Sequence, residues 1–143
     1  MKAFVLTIVC GILFVTGCQM EPTKDIKPLQ LSNEVLINQE QADEAKQIVL
    51  SMEEVVEIKG VAVKDAIYLA PRVKHFDRFR LNEIRKSSHQ AVKKKYPNAS
   101  VHVSTDQKIF MELEKLEQAL KNRSISEKRL ENKLTELEDM MKG

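Results

Sequence analysis

Cys18 is the residue of this chain whose type and setting specify a reaction most clearly. It follows Val15-Thr16-Gly17 at the end of an apolar run, Ala3 to Val15, which itself follows Lys2. A positive residue, a short apolar stretch and small residues before a cysteine form the pattern of a bacterial lipoprotein signal. In that reading the Cys18 thiol is the nucleophile that takes a diacylglyceryl group. A peptidase then cuts between Gly17 and Cys18, and the small Thr16 and Gly17 fit its narrow cleft. As a helix, the apolar run from Ala3 to Val15 reaches about 20 Å, short of the ~30 Å hydrocarbon core of a bilayer. The run therefore reads as a signal and not as a membrane span.

This fixes the rest of the cysteine chemistry. Cys10 leaves with the signal, and the sulfur of Cys18 is occupied by lipid. No disulfide, CxxC redox pair or thiolate metal site is then expected, and the domain must be held by packing alone. The lipid, with two acyl chains, gives stable anchoring where one would be marginal.

The other residues that could do chemistry form no catalytic pattern. His75, His89 and His102 are not spaced as metal ligands, and each reads as a surface or packed histidine. Ser87-Ser88-His89 places a nucleophile beside a base, but neighbours on a helix point about 100° apart. Gly60 and Gly143 are isolated, so no glycine-rich phosphate loop is expected. The expectation is a protein that is not an enzyme and that needs no cofactor or metal.

Charge is segregated along the chain. Nine acids face three lysines from Gln19 to Glu57, whereas nine Lys/Arg face only Asp77 and Glu83 from Arg72 to Tyr96. Arg78, Arg85, Lys86, Lys93, Lys94 and Lys95 are the candidate contacts to an anionic surface, either membrane lipid or cell-wall polymer. A solvated helix face is the plainer explanation of the same residues. Nucleic acid is excluded by the location outside the cytoplasmic membrane, and only Phe76, Phe79 and Tyr96 could stack on bases.

The elements that must carry these residues follow from periodicity. After the signal (1–17), Pro22 and Pro28 mark residues 18–38 as a lipidated cysteine and flexible tether. Ala42, Ala45, Ile48, Val49 and Met52 share one helical face, which predicts a helix over Gln39–Met52. Val55–Val63 and Ala66–Val73 are β-branched runs joined by Lys64-Asp65, a two-residue hairpin. Phe76–Tyr96 is predicted as one helix with Phe76, Leu81, Ile84, Ala91 and Val92 inward. Val101 and Val103 make a short third strand. Ser104–Gln107 and Ser124–Glu127 have the form of capping boxes opening two further helices. The first carries Leu113, Leu116 and Leu120. The second carries Leu130, Leu134, Leu137 and Met141. The expected fold is α+β: a small αββαβα domain over 39–122, its three-stranded sheet covered on one face by helices, and a C-terminal amphipathic helix over 123–143. That last helix reads as an appendage, its stripe either packed in a helical hairpin folded back on the domain or offered to a protein partner, and a chain ending at Asn122 is expected to fold.

From Cys18 to Asn122 the chain resembles the YhcN/YlaJ-type sporulation lipoproteins of endospore-forming bacteria. The resemblance is carried by the lipidation motif, the short tether, Gln41-Ala42-Asp43-Glu44-Ala45-Lys46-Gln47-Ile48-Val49, the hairpin Ile58–Leu69, the basic helix, and Val101-His102-Val103-Ser104-Thr105-Asp106. Lys64-Asp65 departs from the Gly-Asn or Asn-Asp turn usual in that family, and the tail after Asn122 lies outside the common pattern. The resemblance implies a membrane-attached spore lipoprotein concerned with sporulation, germination or outgrowth, located at the spore inner membrane or envelope. It brings no activity and no site residues. The order of elements is also similar to that of small αββαβ modules such as BON domains.

Overall fold

A computed structural model describes residues 27–31 and 37–143 of the chain. Cys18, the cleavage point at Gly17 and most of the predicted tether lie outside the described residues. The elements are α1 (Glu40–Leu50), β1 (Val55–Val63), β2 (Ala66–Val73), a 3-10 segment (His75–Arg80), α2 (Leu81–Lys95), β3 (Ser100–Val103), α3 (Gln107–Lys121) and α4 (Glu127–Lys142). This is the α+β order read from the sequence.

The three strands form one mixed sheet in the order β1-β2-β3. β1 and β2 pair antiparallel through the Lys64-Asp65 turn, with Val63 opposite Ala66. Lys64 takes φ 51°, a left-handed conformation that a two-residue hairpin turn demands. β3 runs parallel to β2, Ile67 opposite Val101 and Leu69 opposite Val103. A parallel neighbour needs a crossover, and α2 supplies it. Pro71 is tolerated in the central strand because β3 has already ended: the β2–β3 pairing stops at Leu69.

Alternation along the strands sends side chains to two cores. One contains Ala42, Ala45 and Val49 of α1, Ile84 and Val92 of α2, and Ile58, Ile67, Leu69, Val101 and Val103 of the sheet. The other contains Val61, Val63, Tyr68 and Ala70 of the sheet, Leu113, Leu116 and Leu120 of α3, and Leu130, Leu134 and Leu137 of α4. Helices therefore cover both faces, not one. The leucine stripe of α4 is core, so this helix is not an appendage. Its hydrophobic period is the same whether it is buried by its own domain or by a partner, and sequence alone does not separate the two.

The packed body also begins earlier than residue 39. Leu31 is fully buried in the second core, and Pro28 is buried as well. The Leu31 N–H donates to Asp43 Oδ2 at 2.8 Å, and the Leu29 carbonyl accepts from the Lys46 ammonium. Residues 27–31 are thus docked, and the tether reading does not hold for them. Every residue of both cores lies in 31–137, so a chain starting at Gln19 carries the whole of each.

The open edge of β1 is closed by side chains. The Gln39 amide meets the backbone of Ala62 on both sides, accepting from Ala62 N at 2.9 Å and donating to Ala62 O at 2.7 Å. Gly60 N donates to Glu117 Oε1 at 2.8 Å. These contacts imitate a neighbouring strand and satisfy groups that an edge otherwise leaves to aggregation. Lys46, fully buried, bridges Asp43 at 3.0 Å and Glu117 at 3.2 Å. Gly60 is required by the close packing of β1 against β2 and of the Lys46 stem over it. A Cβ there would lie 2.5 Å from the Leu69 side chain and 3.2 Å from the Lys46 stem.

Both predicted capping boxes shift by two residues. Asp106, not Ser104, caps α3, accepting from Lys108 N and Ile109 N. Ser126, not Ser124, caps α4, accepting from Arg129 N. In each case a second cap-forming residue stands nearer the helical run. The earlier serine serves elsewhere: Ser104 Oγ accepts from Asp106 N, and Ser124 Oγ donates to Ala119 O.

Candidate functional site

β3 is a short strand with one side open. Ser100 N donates to Asp65 O and Ser104 N to Leu69 O, so the even residues face β2. Val101 and Val103, by alternation, turn their backbone N–H and C=O outward. This edge forms the floor of a cleft of about 400 Å³ between two helices. Arg85, Lys86, His89 and Gln90 line it from α2, and Glu138, Met141 and Lys142 from α4.

The helix period explains why these residues meet. Arg85, Lys86 and His89 fall at i, i+1 and i+4, on the flank of α2 next to the face that buries Ile84, Ser88 and Val92. On the opposite wall, Leu134 and Leu137 hold α4 against the sheet, and this places Glu138, Met141 and Lys142 at its rim.

The floor is a network around Glu138. His102 stacks on Tyr68, with ring centroids 4.5 Å apart and planes 8° from parallel. Tyr68 Oη donates to Glu138 Oε2 at 3.2 Å. His102 Nε2 lies 4.0 Å from the same oxygen, and Lys142 Nζ lies 2.5 Å from Glu138 Oε1. Burial, reinforced by the Glu138 charge, pushes the Tyr68 hydroxyl up to about 12. Burial lowers the His102 pKa below 6.5 despite Glu138. The hydrogen bond from Lys142 holds Glu138 below the ordinary carboxylate range. Tyr68 is therefore a neutral donor at neutral pH, and the Glu138 carboxylate is already engaged by Lys142 and Tyr68. The cations that remain to greet a ligand are Arg85 and Lys86, both exposed. Neither has an ion-pair partner among the described residues. This arrangement suits an anionic group, held by charge and by the outward N–H groups of β3.

The six bases singled out from the sequence do not form one site. Arg85 and Lys86 enter the cleft. Lys93 donates to Ala99 O at 2.5 Å and secures the turn into β3. Lys94 is exposed. Lys95 pairs with Glu44 of α1 at 3.7 Å, on the other side of the helix. Arg78 stands on the 3-10 segment, beside a second depression lined by Arg72 and Phe110. A run of bases wraps around a helix at 100° per residue, so adjacency in sequence scatters it.

Sequence reasoning missed Tyr68, Glu138 and Lys142 at the cleft. Glu138 and Lys142 carry a weak signal, being an i,i+4 pair. Nothing local ties them to Tyr68, which is 70 residues away. Ser88, the apparent neighbour of a base, is buried and donates to Ile84 O at 2.7 Å. Among the described residues, no group of three His, Cys, Asp or Glu side chains could hold a metal ion. No helix of the described residues is long and apolar enough to cross a membrane. Comparison with known protein families, with curated proteins and with solved structures found no match.

Proposed function

We propose that this protein is a lipoprotein held by Cys18 at the outer face of the cell membrane, with a non-enzymatic binding role in sporulation, germination or outgrowth. The resemblance over Cys18–Asn122 supports the spore setting, at the spore inner membrane or envelope. The observation that carries the binding role is the cleft at the open edge of β3, where Arg85 and Lys86 stand without ion-pair partners among the described residues, beside outward backbone donors. Its ligand in this reading is anionic, a lipid headgroup or a wall polymer. The test has two parts. Mass spectrometry of the mature N-terminus should find an acylated residue 18; an unmodified N-terminus elsewhere would remove the lipoprotein reading. Fractionation of sporulating and growing cells should find the protein in membranes of the former only.

A second reading is a general envelope lipoprotein that assembles with a protein complex through its C-terminal helices. A groove of about 450 Å³ between α3 and α4 favours it, with Leu116, Ala119, Ile125 and Met140 on its walls. Equal production in growing cells, with co-purification lost on Ala119→Glu, would select this reading over the first.

A further inference from the structure

The 3-10 segment His75–Arg80 buries none of its residues. Phe76 and Phe79 are each 84% exposed, the most exposed large apolar side chains among the described residues. A 3-10 helix has three residues per turn, so residues i and i+3 eclipse. Both rings therefore project from the same side of one short turn. The periodic reading placed Phe76 inward because it continued the α-helix back through this turn; the change of pitch rotates the ring into solvent.

The turn is held, not loose. Arg80 binds Glu83 at 3.0 Å and reaches Glu54 at 3.6 Å. Lys74 N donates to Glu54 O at 2.9 Å. Around the rings stand Lys74 and Arg78, both exposed and without an ion pair among the described residues. Arg72, which lines a depression together with Arg78, is already held by Glu57 at 2.7 Å and lies over the Phe110 ring at 4.0 Å. Two apolar rings at the tip of a rigid turn, collared by cations, complement an anionic bilayer: the rings enter the acyl boundary and the bases meet the headgroups.

We propose that Phe76 and Phe79 form a wedge that inserts into the anionic phospholipid surface to which the protein is tethered. The proposal rests on the lipoprotein reading, and it adds what the lipid cannot supply. Eight residues separate Cys18 from Lys27, a contour of at most about 30 Å. A tether of that reach leaves many orientations open to a domain with a radius of gyration of about 13 Å. The wedge fixes one orientation of the domain on the surface.

The chain contains no tryptophan, so Phe79→Trp in the lipid-free protein from Gln19 onward gives a single reporter at the tip. With vesicles of phosphatidylglycerol and phosphatidylcholine, its emission should shift to the blue and be quenched by lipids brominated along the acyl chain. Phe76→Ser and Phe79→Ser should each weaken vesicle affinity about tenfold, with thermal unfolding unchanged because both rings are exposed. Arg85→Ala with Lys86→Ala should leave the emission of bound protein where it was. Binding that persists with unshifted, unquenched emission overturns the wedge while sparing the anionic-ligand reading of the cleft. Binding to no vesicle overturns the wedge, whereas an unlipidated Cys18 in cells overturns the reading beneath it. Self-association in light scattering that disappears with the serine variants assigns the rings to a second copy, and also overturns the wedge.

Discussion

Replacing Glu117 with alanine is expected to be among the most costly single changes in this domain. Glu117 is fully buried. Its Oε1 accepts from Gly60 N at 2.8 Å and meets Lys46 Nζ at 3.2 Å. Glu117→Ala strands both partners. An unsatisfied buried N–H costs about 1–3 kcal/mol, and breaking a buried ion pair about 3–5 kcal/mol. The two overlap, because Asp43 still faces Lys46 at 3.0 Å, so the expected loss is about 3–5 kcal/mol. A domain of this size has about 5–15 kcal/mol to lose. At roughly 4 °C per kcal/mol, Tm should fall by about 12–20 °C. The assay is urea and thermal unfolding followed by circular dichroism. Lys46→Met with Glu117→Ala should cost less than the two single changes summed, since each single change strands a charge that the double change removes. A Glu117→Ala loss under about 1 kcal/mol, or a double variant as costly as the sum of the singles, would refute the argument. Burial raises the Glu117 pKa above 4.5 against the pull of Lys46 and Gly60 N. The folded state thus holds this proton more tightly than the unfolded chain does. Its contribution to stability is present below 4.5 and declines as pH rises through the raised value.

Removing α4 by ending the chain at Asn122 should abolish cooperative unfolding: Leu130, Leu134 and Leu137 are at most 4% exposed, and at about 1.5–3 kcal/mol each their burial rivals the whole stability; a cooperative melt near that of the longer chain would show α4 to be dispensable. Gly60→Ala should destabilise by about 1–3 kcal/mol, because the added methyl is forced against Leu69 and the Lys46 stem; unchanged urea midpoints would show that the two side chains yield. His102 binds its proton less readily in the fold than at its ordinary 6.5, so the unfolded chain is the more protonated and stability should fall as pH drops below that value; His102→Phe, which keeps a ring on Tyr68, should flatten this part of the profile. Arg85→Ala with Lys86→Ala should weaken binding of the lipid-free protein to anionic vesicles or wall polymer, and binding by the native chain should decline as salt approaches the physiological range, where the Debye length is about 8 Å; salt-independent binding would count against a charged contact.

Much of the architecture was legible because it rests on local signals. The hairpin at Lys64-Asp65, the stop at Pro97 and the αββαβαα order each need only a few neighbouring residues. The failures have a common cause: the deciding partner is distant in sequence. Lys46 reads as a solvent-facing helix charge until Glu117, 71 residues away, is brought to it. Gln39 reads as a boundary residue, yet its amide completes the edge of β1 at Ala62. The α4 leucines read either as core folded back on the domain or as a partner surface until the lower face of the sheet is seen to need cover. Phe76 shows a different limit. An α-helical period was extended through a turn that winds at three residues, and a ring assigned to the core came out exposed. In the cleft, the two bases on α2 were visible, but the opposite wall and the outward strand edge were not.

The two edges of the sheet are treated in opposite ways, and the difference bears on where binding occurs. An exposed strand edge invites pairing with other chains, and a fold that leaves one open must blunt it or use it. At β1 the blunting is complete enough to include a buried lysine, a buried glutamate and a buried glutamine, each costly to desolvate. Had β3 been a liability alone, a single apolar side chain from α2 or α4 would have covered it at lower cost. Instead the two helices stand apart and set Arg85 and Lys86 beside the edge, with Lys142 already paired to Glu138. Cations there repel a second β3 edge, which carries the same charges, so they guard against self-pairing. They do not repel an anionic ligand. The same side chains that keep two copies apart therefore select the charge of what the cleft can admit, and a test with polyanions of graded size reads both properties from one face.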